Sequence, residues 1–135
     1  MQLAVIVGNC RAERFLTDFS VIKSPNHAEI NCDNAAVILG ESASAEIISA
    51  LGVIVDGETF CGKIPRGIQL IDCGLSQKST VFITSRTEDK ITIALSRSIR
   101  TASGVCDPLE LPVTLSEGAS DFDIMAAFAA RIMLR

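Results

Sequence analysis

The segment Ala35-Ala36-Val37-Ile38-Leu39 contains five apolar residues in a row, which is typical of a central strand that is buried on both faces of a sheet. Gly40 ends this run. Residues 1–7 contain a similar apolar run and predict the first strand, and residues 53–55 predict another. These segments indicate a sheet with a buried centre.

Apolar residues also recur at helical spacing in two segments between these strands. The first segment predicts a short helix that Asn9 can cap, and its apolar stripe contains Ala12, Phe15, Leu16 and Phe19. The second helix is predicted to begin at Ser44 and to end at Gly52, with Ile47, Ile48 and Leu51 on its apolar face. Strands that alternate with helices are typical of an α/β fold.

The remaining segments are predicted to extend the sheet. Residues 28–31 and 69–71 fit short strands, and residues 79–84 and 91–96 alternate as the two arms of an antiparallel hairpin. Residues 109–115 alternate too, but the missing N–H of Pro112 makes this strand an edge strand.

The last segment, residues 121–134, fits a helix that is apolar around most of its circumference. Such a helix is either deeply buried or shared with a partner chain. We therefore expect one domain over residues 1–135 with an α/β fold, built from a mixed β-sheet with an antiparallel hairpin and about three helices.

Composition and charge narrow the classes of function. Of the 135 residues, 48% are hydrophobic and 21% are charged, as in a soluble globular protein. A net charge of −4 argues against a general affinity for nucleic acid, and no apolar run approaches the roughly 18 residues of a membrane span.

The amino terminus lacks the features of a signal peptide, and five scattered cysteines predict reduced thiols. We expect a cytoplasmic protein that binds neither nucleic acid nor membrane.

A glycine-rich segment, Gly57-Glu58-Thr59-Phe60-Cys61-Gly62-Lys63, has the spacing of a phosphate-binding loop except at its end. Such a loop needs Ser or Thr after the lysine to ligate magnesium, and this chain has Ile64. The segment therefore predicts no binding of ATP with magnesium. Gly62, Lys63 and Arg66 could still hold a small anionic ligand in a surface loop, or the charges could only keep the surface soluble.

A second candidate site is the polar turn that contains Asn31, Asp33 and Asn34. Their oxygens could bind a cation or a hydroxyl-rich ligand, or the side chains could bond their own backbone in a turn. His27 is the only histidine, which excludes a site with several histidine ligands. Cys10 beside Arg11 could be an activated thiol or a buried core residue. We predict no metal, no cofactor and no complete set of catalytic residues.

Three motifs occur in a characteristic order, namely Asn31-Cys32-Asp33-Asn34, Asp72-Cys73-Gly74-Leu75, and Leu111-Pro112-Val113 followed by an alanine-rich helix. This order, over roughly residues 28–134, resembles the middle domain of the Mur ligases, ATP-dependent enzymes that add amino acids to peptidoglycan precursors. The family's nucleotide loop has no counterpart after Val7, and its later nucleotide contacts are replaced by Ser120, Asp121 and Ile124. The resemblance implies a cell-wall-related scaffold that has lost its ATP site.

The sequence thus predicts a non-catalytic, Mur-ligase-like binding or interaction module in the cytoplasm, without ATPase activity. One alternative is a small enzyme acting on a phosphate- or carboxylate-bearing molecule, with residues 57–67 as the anion cradle and Asp33 or His27 as the base. Another alternative is a structural subunit of a homo-oligomer. In that case the C-terminal helix would form a homodimer.

Overall fold

The computed structural model describes residues 2–115 and 118–135. Met1, which the sequence assigns to the first strand, and residues 116 and 117 lie outside this range. A single α-helix and twelve strands occur in the described residues. In chain order the elements are β1 (Leu3–Val7), a 3-10 helix (Ala12–Phe15), β2 (Ser20–Ser24), β3 (His27–Asn31), β4 (Ala35–Leu39), β5 (Ser44–Ser49), β6 (Gly52–Asp56), β7 (Gln69–Gly74), β8 (Val81–Arg86), β9 (Lys90–Leu95), β10 (Ile99–Thr101), β11 (Gly104–Cys106), β12 (Leu109–Thr114) and α1 (Asp121–Met133).

Eight of these strands form one mixed sheet in the order β12-β9-β8-β7-β6-β4-β1-β2. The strands from β2 to β8 in this order are parallel to one another. Strands β8, β9 and β12 are antiparallel neighbours, and β12 lies at the edge as Pro112 predicts. Two small sheets complete the fold, namely the antiparallel pair β10–β11 and the parallel pair β3–β5.

The central strands β1, β4 and β6 are apolar on both faces. In β1, Ala4 and Ile6 point to the face covered by α1, whereas Val5 and Val7 point to the opposite face. All four side chains are at least nine-tenths buried. The sheet therefore needs a cover on each face.

Different structures cover the two faces. Helix α1 packs on one face, with its N-terminus stabilised by a capping box between Ser120 and Asp123. The β3–β5 pair covers the other face through Ile30 and Ile47, and the segment between β6 and β7 adds Phe60 to the same cluster. The chain alternates between the two sheets from β2 to β6, which is a β-solenoid-like arrangement.

The predicted α/β fold with about three helices is therefore wrong, because the protein is mainly β. The segment from Ser44 to Leu51 is the clearest error, since it forms strand β5 instead of a helix. Ile47 and Ile48, which would share one face of a helix, point to opposite sides of the strand: Ile47 is 8% exposed and Ile48 is 68% exposed. Parallel pairing with β3 decides the conformation, and β-branched residues favour it.

The first predicted helix is also wrong in length, because only one helical turn forms. Only Ala12–Phe15 is helical, as a 3-10 helix, and Arg11 instead of Asn9 precedes it. The next residues form β2, which pairs in parallel with β1 along its whole length. Ala12 and Leu16 still pack into the core on the α1 face, so their apolar pattern reflects burial and not a long helix.

The remaining predicted strands and the last helix are confirmed, including the hairpin, which is formed by β8 and β9. Helix α1 buries most of its circumference within this chain. Within the described ranges, no helix has the length and apolar character needed to cross a bilayer.

The two isoleucines of β5 give a direct test of the second cover. We expect Ile47→Ala to lower the free energy of unfolding by about 2–4 kcal/mol, because it leaves a cavity between the sheets. Ile48→Ala is the matched control and should change stability by less than about 0.5 kcal/mol. Urea denaturation of both variants measures the difference. Equal losses would mean that both side chains share one buried helical face.

Candidate functional site

The carboxyl ends of β1, β4 and β6 meet at one edge of the sheet, because these strands are parallel. The loop after β1 leads to the 3-10 helix on the α1 face, whereas the loop after β4 leads to β5 on the opposite face. Strand order reverses at the same place, with β2 on one side of β1 and β4 on the other. Ligands of open parallel sheets bind in the crevice outside such a switch point.

Close backbone contact joins these two loops. The Asn9 amide donates to the Glu41 carbonyl at 2.9 Å, and the Glu41 amide donates to the Asn9 carbonyl at 3.2 Å. A Cβ atom at Gly8 would lie 2.7 Å from the Glu41 carbonyl oxygen, and one at Gly40 would lie 2.6 Å from the Asn9 carbonyl oxygen. Both positions therefore require glycine.

A crevice of about 850 Å³ opens at this edge. This volume is within the range of small-molecule sites, about 300–1,000 Å³. Its wall is formed by the two loops, the start of the segment after β6 and the N-terminus of α1. The lining residues are Asn9, Leu39, Gly40, Glu41, Ser42, Ala43, Asp56, Thr59, Phe60, Cys61, Gly62, Ser120, Asp121, Phe122 and Asp123.

Buried Asp123 fixes the N-terminus of α1 against the loop after β1. Its Oδ1 accepts the backbone N–H of Arg11 at 3.0 Å, and its Oδ2 accepts the backbone N–H of Ser120 at 3.0 Å. The Ser120 hydroxyl accepts the Asp123 backbone N–H at 3.1 Å. Both oxygens of the Asp123 carboxylate thus accept a backbone N–H, one from the loop after β1 and one from the helix cap. Asp123 therefore positions one wall of the crevice.

The other wall contains a residue in an uncommon conformation. Ser42, in the loop after β4, has φ of +63°, which lies in the left-handed region. Residues other than glycine adopt this region at an energetic cost, and such residues cluster at functional sites. The Ser42 conformation turns the chain from the large sheet to β5.

All charged side chains that line the crevice are acidic. Four carboxylates line it, those of Glu41, Asp56, Asp121 and Asp123, and no lysine, arginine or histidine of the described chain lines it. The Arg86 guanidinium donates to Asp121 Oδ1 at 2.6 Å. A helix N-terminus favours anions, but here acidic first-turn residues and the capping box already occupy it. The crevice therefore favours a cation over an anion.

Two cysteines near this edge differ in reactivity. Burial raises the pKa of the Cys10 thiol to about 12, and the nearby Asp123 carboxylate adds to the rise. Cys10 is thus a protonated core residue and not an activated nucleophile, despite its neighbour Arg11. Cys61 is exposed in the crevice wall.

The residues that the sequence singled out do not form one site. Gly62 lines the crevice, whereas Lys63 and Arg66 are exposed farther along the same segment and do not line it. Asn31, Asp33 and Asn34 lie at the opposite edge, because β3 leads from the carboxyl end of β2 to the amino end of β4.

In the polar turn after β3, the Asn31 side chain is bonded locally. The Asn31 Oδ1 accepts the Ser49 hydroxyl at 2.8 Å, and Asp33 and Asn34 occupy the exposed turn closed by the Ala35 amide and the Cys32 carbonyl at 3.1 Å. The described residues contain no group of three or more side chains suited to a metal ion. Whether any of these residues binds a ligand stays a prediction.

His27 is exposed at the start of β3, with its Nδ1 3.1 Å from the Ser44 hydroxyl. No acidic side chain of the described residues is bonded to this imidazole. The pair therefore lacks the third group that would orient the histidine for catalysis.

Sequence reasoning missed the acidic residues of the crevice. Glu41 and Asp56 each follow a continuous apolar strand directly or after one glycine. This position at the carboxyl end of a buried strand is the signal that could have identified them. Asp123 had no such signal, because only the fold brings the final helix to this edge.

No family model, curated protein or solved structure matches this chain. The resemblance to the Mur ligase middle domain therefore stays a prediction.

Two glycines with positive φ give a matched test of the loop contact. Gly67 has φ of +91° and open space around its Cβ position, whereas Gly8 has φ of +84° and no space. We expect Gly67→Ala to cost about 1–2 kcal/mol from backbone strain alone. Gly8→Ala should cost clearly more, because the added methyl meets the Glu41 carbonyl. Thermal and urea unfolding compare the two, and equal costs would contradict the close contact.

The difference in cysteine reactivity is measurable. Brief treatment of the folded protein with iodoacetamide at pH 8 should label Cys61 first, and should leave Cys10 and Cys73 unlabelled. Burial raises the pKa of both Cys10 and Cys73, so their thiolate forms are scarce at this pH. Peptide mass spectrometry identifies the labelled sites, and labelling in urea is the control. Early labelling of Cys10 would contradict its buried position.

Proposed function

We propose that the chain is a non-catalytic binding module whose ligand occupies the crevice at the carboxyl edge of the sheet. One observation carries this proposal: a cavity of about 850 Å³ lies at the switch point between β1 and β4, walled by two loops held together by reciprocal backbone hydrogen bonds. Loops fixed in this way form a largely preformed site, as small-molecule sites usually are.

The chemistry of the lining supports binding over catalysis. The lining residues that carry a hydroxyl or a thiol include Ser42, Thr59, Ser120 and Cys61. A nucleophile of this kind needs a general base within hydrogen-bond distance, and no hydrogen bond joins a hydroxyl or thiol of the described lining residues to one of the four carboxylates. The Ser120 hydroxyl is already engaged as the helix cap. The lining thus offers acceptors and apolar contacts for a bound molecule.

The ligand class follows from charge and apolar surface together. Glu41 is exposed at one side of the crevice, and Asp56 uses its Oδ1 to accept only the Glu58 amide at 3.0 Å. Phe60 and Phe122 add aromatic surface. We infer that an organic cation, with an amine near Asp56 or Glu41 and an apolar body against the phenylalanines, is favoured over a phosphate or carboxylate ligand.

The compartment and the kinship are separate proposals. All five cysteines are free, which supports a reducing compartment such as the cytoplasm. The Mur-ligase-like motif order remains a proposal about origin. Neither is needed for binding in the crevice.

Two probes of similar size and opposite charge test the ligand class. We expect 2-phenylethylammonium to shift the backbone amide resonances of Glu41, Ser42, Cys61 and Phe122 in a saturable way, because the carboxylates attract its charge. The anion 3-phenylpropanoate should bind at least about tenfold more weakly, a difference of about 1.4 kcal/mol. Two-dimensional proton–nitrogen spectra of the labelled protein follow both titrations.

A matched pair of variants identifies the carboxylate that matters. Asp56→Asn keeps an acceptor for the Glu58 amide but removes the charge, and it should weaken binding of the amine. Glu110→Gln removes an exposed charge from β12 and should leave binding unchanged. The proposal fails if neither probe perturbs the lining residues, or if the anion binds there as tightly as the cation.

A further inference from the structure

The large sheet has two edge strands, β12 on one side and β2 on the other. An edge strand carries backbone N–H and C=O groups that have no partner strand, and these groups can pair with a strand of another chain. Proteins protect such edges with proline, charge or irregular geometry. The two edges of this sheet differ in that protection.

At β2, the backbone groups of Val21 and Lys23 point away from the sheet. The Ser20 amide donates to the carbonyl of the residue just before β1 at 3.3 Å, and the Ser24 carbonyl accepts the amide just after β1 at 2.9 Å. Only alternate residues of a strand bond to a given neighbour, and Val21 and Lys23 lie between the bonded positions. Their N–H and C=O groups have no hydrogen-bond partner within residues 2–115 and 118–135.

The β12 edge is blocked at its centre. The Leu115 amide donates to the Asp89 carbonyl at 2.8 Å, and the antiparallel register with β9 then directs the backbone groups of Glu110, Pro112 and Thr114 outward. Pro112 has no N–H to offer, so it interrupts this edge. Strand β2 contains no proline, and its register with β1 is regular from end to end. Of the two edges, β2 is therefore the one that can accept another strand.

A second copy of this chain suits the β2 edge because only one of the two edges is open. A head-to-tail contact between β2 of one copy and β12 of the next would build an open fibre, and Pro112 opposes that contact. A two-fold axis instead brings two β2 strands together in antiparallel orientation and closes the assembly at two copies. Dimers of this symmetry are the commonest protein oligomers.

One antiparallel register uses all the outward groups. With the axis at Ile22, Val21 of each copy is opposite Lys23 of the other, and each of these pairs can exchange both N–H···O hydrogen bonds. Ser20 is then opposite Ser24, so no like charges are opposite one another. An axis at Lys23 would bring two ammonium groups together, which destabilises a strand pair, and an axis at Val21 would leave the last residues of β2 without a strand opposite. The sequence of β2 thus selects the axis at Ile22.

Exposed apolar surface at the same position supports this pairing. Ile22 is in register with Val5, so it points to the sheet face away from α1. It is nevertheless 55% exposed, because the β3–β5 pair leaves this edge uncovered. On the two-fold axis its side chain meets Ile22 of the second copy. Directly opposite β-branched side chains stabilise antiparallel strands.

The lysine of β2 does not prevent the contact. Lysine on an edge strand usually opposes pairing with another chain. Here the Lys23 Nζ is bonded to Glu13 Oε1 at 2.8 Å, so its charge is matched within its own chain. Lys23 is in register with Ile6 on the α1 face, whereas Ile22 lies on the other face. The ammonium therefore stays clear of the contact between the two isoleucines.

We propose that two copies of this chain associate through antiparallel pairing of their β2 strands, with the two-fold axis at Ile22, and so form one continuous sheet. One strand pair is a small contact, in the class below about 1,200 Å² that is typical of weak complexes. The dimer is therefore reversible and depends on concentration. It does not involve the crevice, and it does not depend on the function proposed for the crevice.

Sedimentation equilibrium of the intact protein tests the association. We expect a monomer–dimer equilibrium with a dissociation constant of the order of 0.1 mM. In a sample mixed from nitrogen-15-labelled and carbon-13-labelled copies, the Lys23 amide of one copy should show a nuclear Overhauser contact to the Ile22 α-proton of the other. The amide resonances of Val21 and Lys23 should shift with protein concentration.

A pair of charge variants locates the axis. Ile22→Lys places two like charges opposite each other and should weaken association at least about tenfold. Ile48→Lys makes the same change at a 68% exposed isoleucine of β5 and should leave association unchanged. Both positions are exposed, so an unchanged fold can be checked by the spectrum of each variant.

A pair of variants at one position isolates the backbone donor. Lys23→Ala keeps the outward N–H, and association should change by less than about threefold. Lys23→Pro removes that N–H without removing a bond to β1, and association should weaken at least about tenfold. Both variants lose the ion pair with Glu13, so the difference between them reports the edge hydrogen bond.

Three results would overturn the proposal. The first is a protein that remains monomeric at about 1 mM, well above the expected dissociation constant, whether or not the edge accepts a strand from another protein. The second is a dimer that Ile22→Lys and Lys23→Pro leave as stable as before. The third is a dimer whose intermolecular contacts lie on α1 or on any element other than β2.

Discussion

Three central strands of the large sheet are apolar on both faces, and this determines how the other elements must pack. Strands β1, β4 and β6 bury side chains on each side of the sheet, so neither face can meet water. Only one α-helix occurs in the described residues, and it covers one face. The other face needs a second cover from short connections. Residues 25–34, between β2 and β4, are fewer than the dozen or so that a helical crossover needs. An extended strand, β3, bridges this gap, and its open edge then pairs with β5.

This second cover also creates the crevice. Because β5 lies on the face opposite to α1, the loop after β4 turns away from the loop after β1 at the edge where both strands end. The loop after β1 and the loop after β4 are held together by the reciprocal backbone bonds between Asn9 and Glu41. Farther from the sheet the two loops separate, and the space between them is the crevice. Asp123 closes the third side by holding the start of α1 to the Arg11 amide. The binding proposal therefore follows from the same two-layer arrangement as the stability of the sheet.

The sequence allowed correct prediction of the elements whose local pattern and tertiary environment agree. The run Ala35–Leu39 is a buried strand, Pro112 lies in an edge strand, and the last helix forms at Asp121–Met133. Prediction failed where the spacing of apolar residues is compatible with both a helix and a strand. Ile47, Ile48 and Leu51 have helical spacing, but pairing with β3 places Ile47 in the core and Ile48 in solvent. The β-branched Ile47 and Ile48 are only a weak local signal for a strand, and residues 44–51 alone do not identify the partner strand β3. For the same reason the crevice was only partly found, since Gly62 was predicted but Asp123 reaches the site only through the fold.

The two-layer arrangement depends on the pairing of β3 with β5, which nuclear Overhauser contacts detect. In the isotope-labelled protein we expect contacts between Ala28 and Ala45 and between Ile30 and Ile47, which are register partners. We also expect extended-type carbon shifts through residues 44–49. Helical carbon shifts through residues 44–51, with sequential amide contacts and no contact between Ile30 and Ile47, would contradict this pairing.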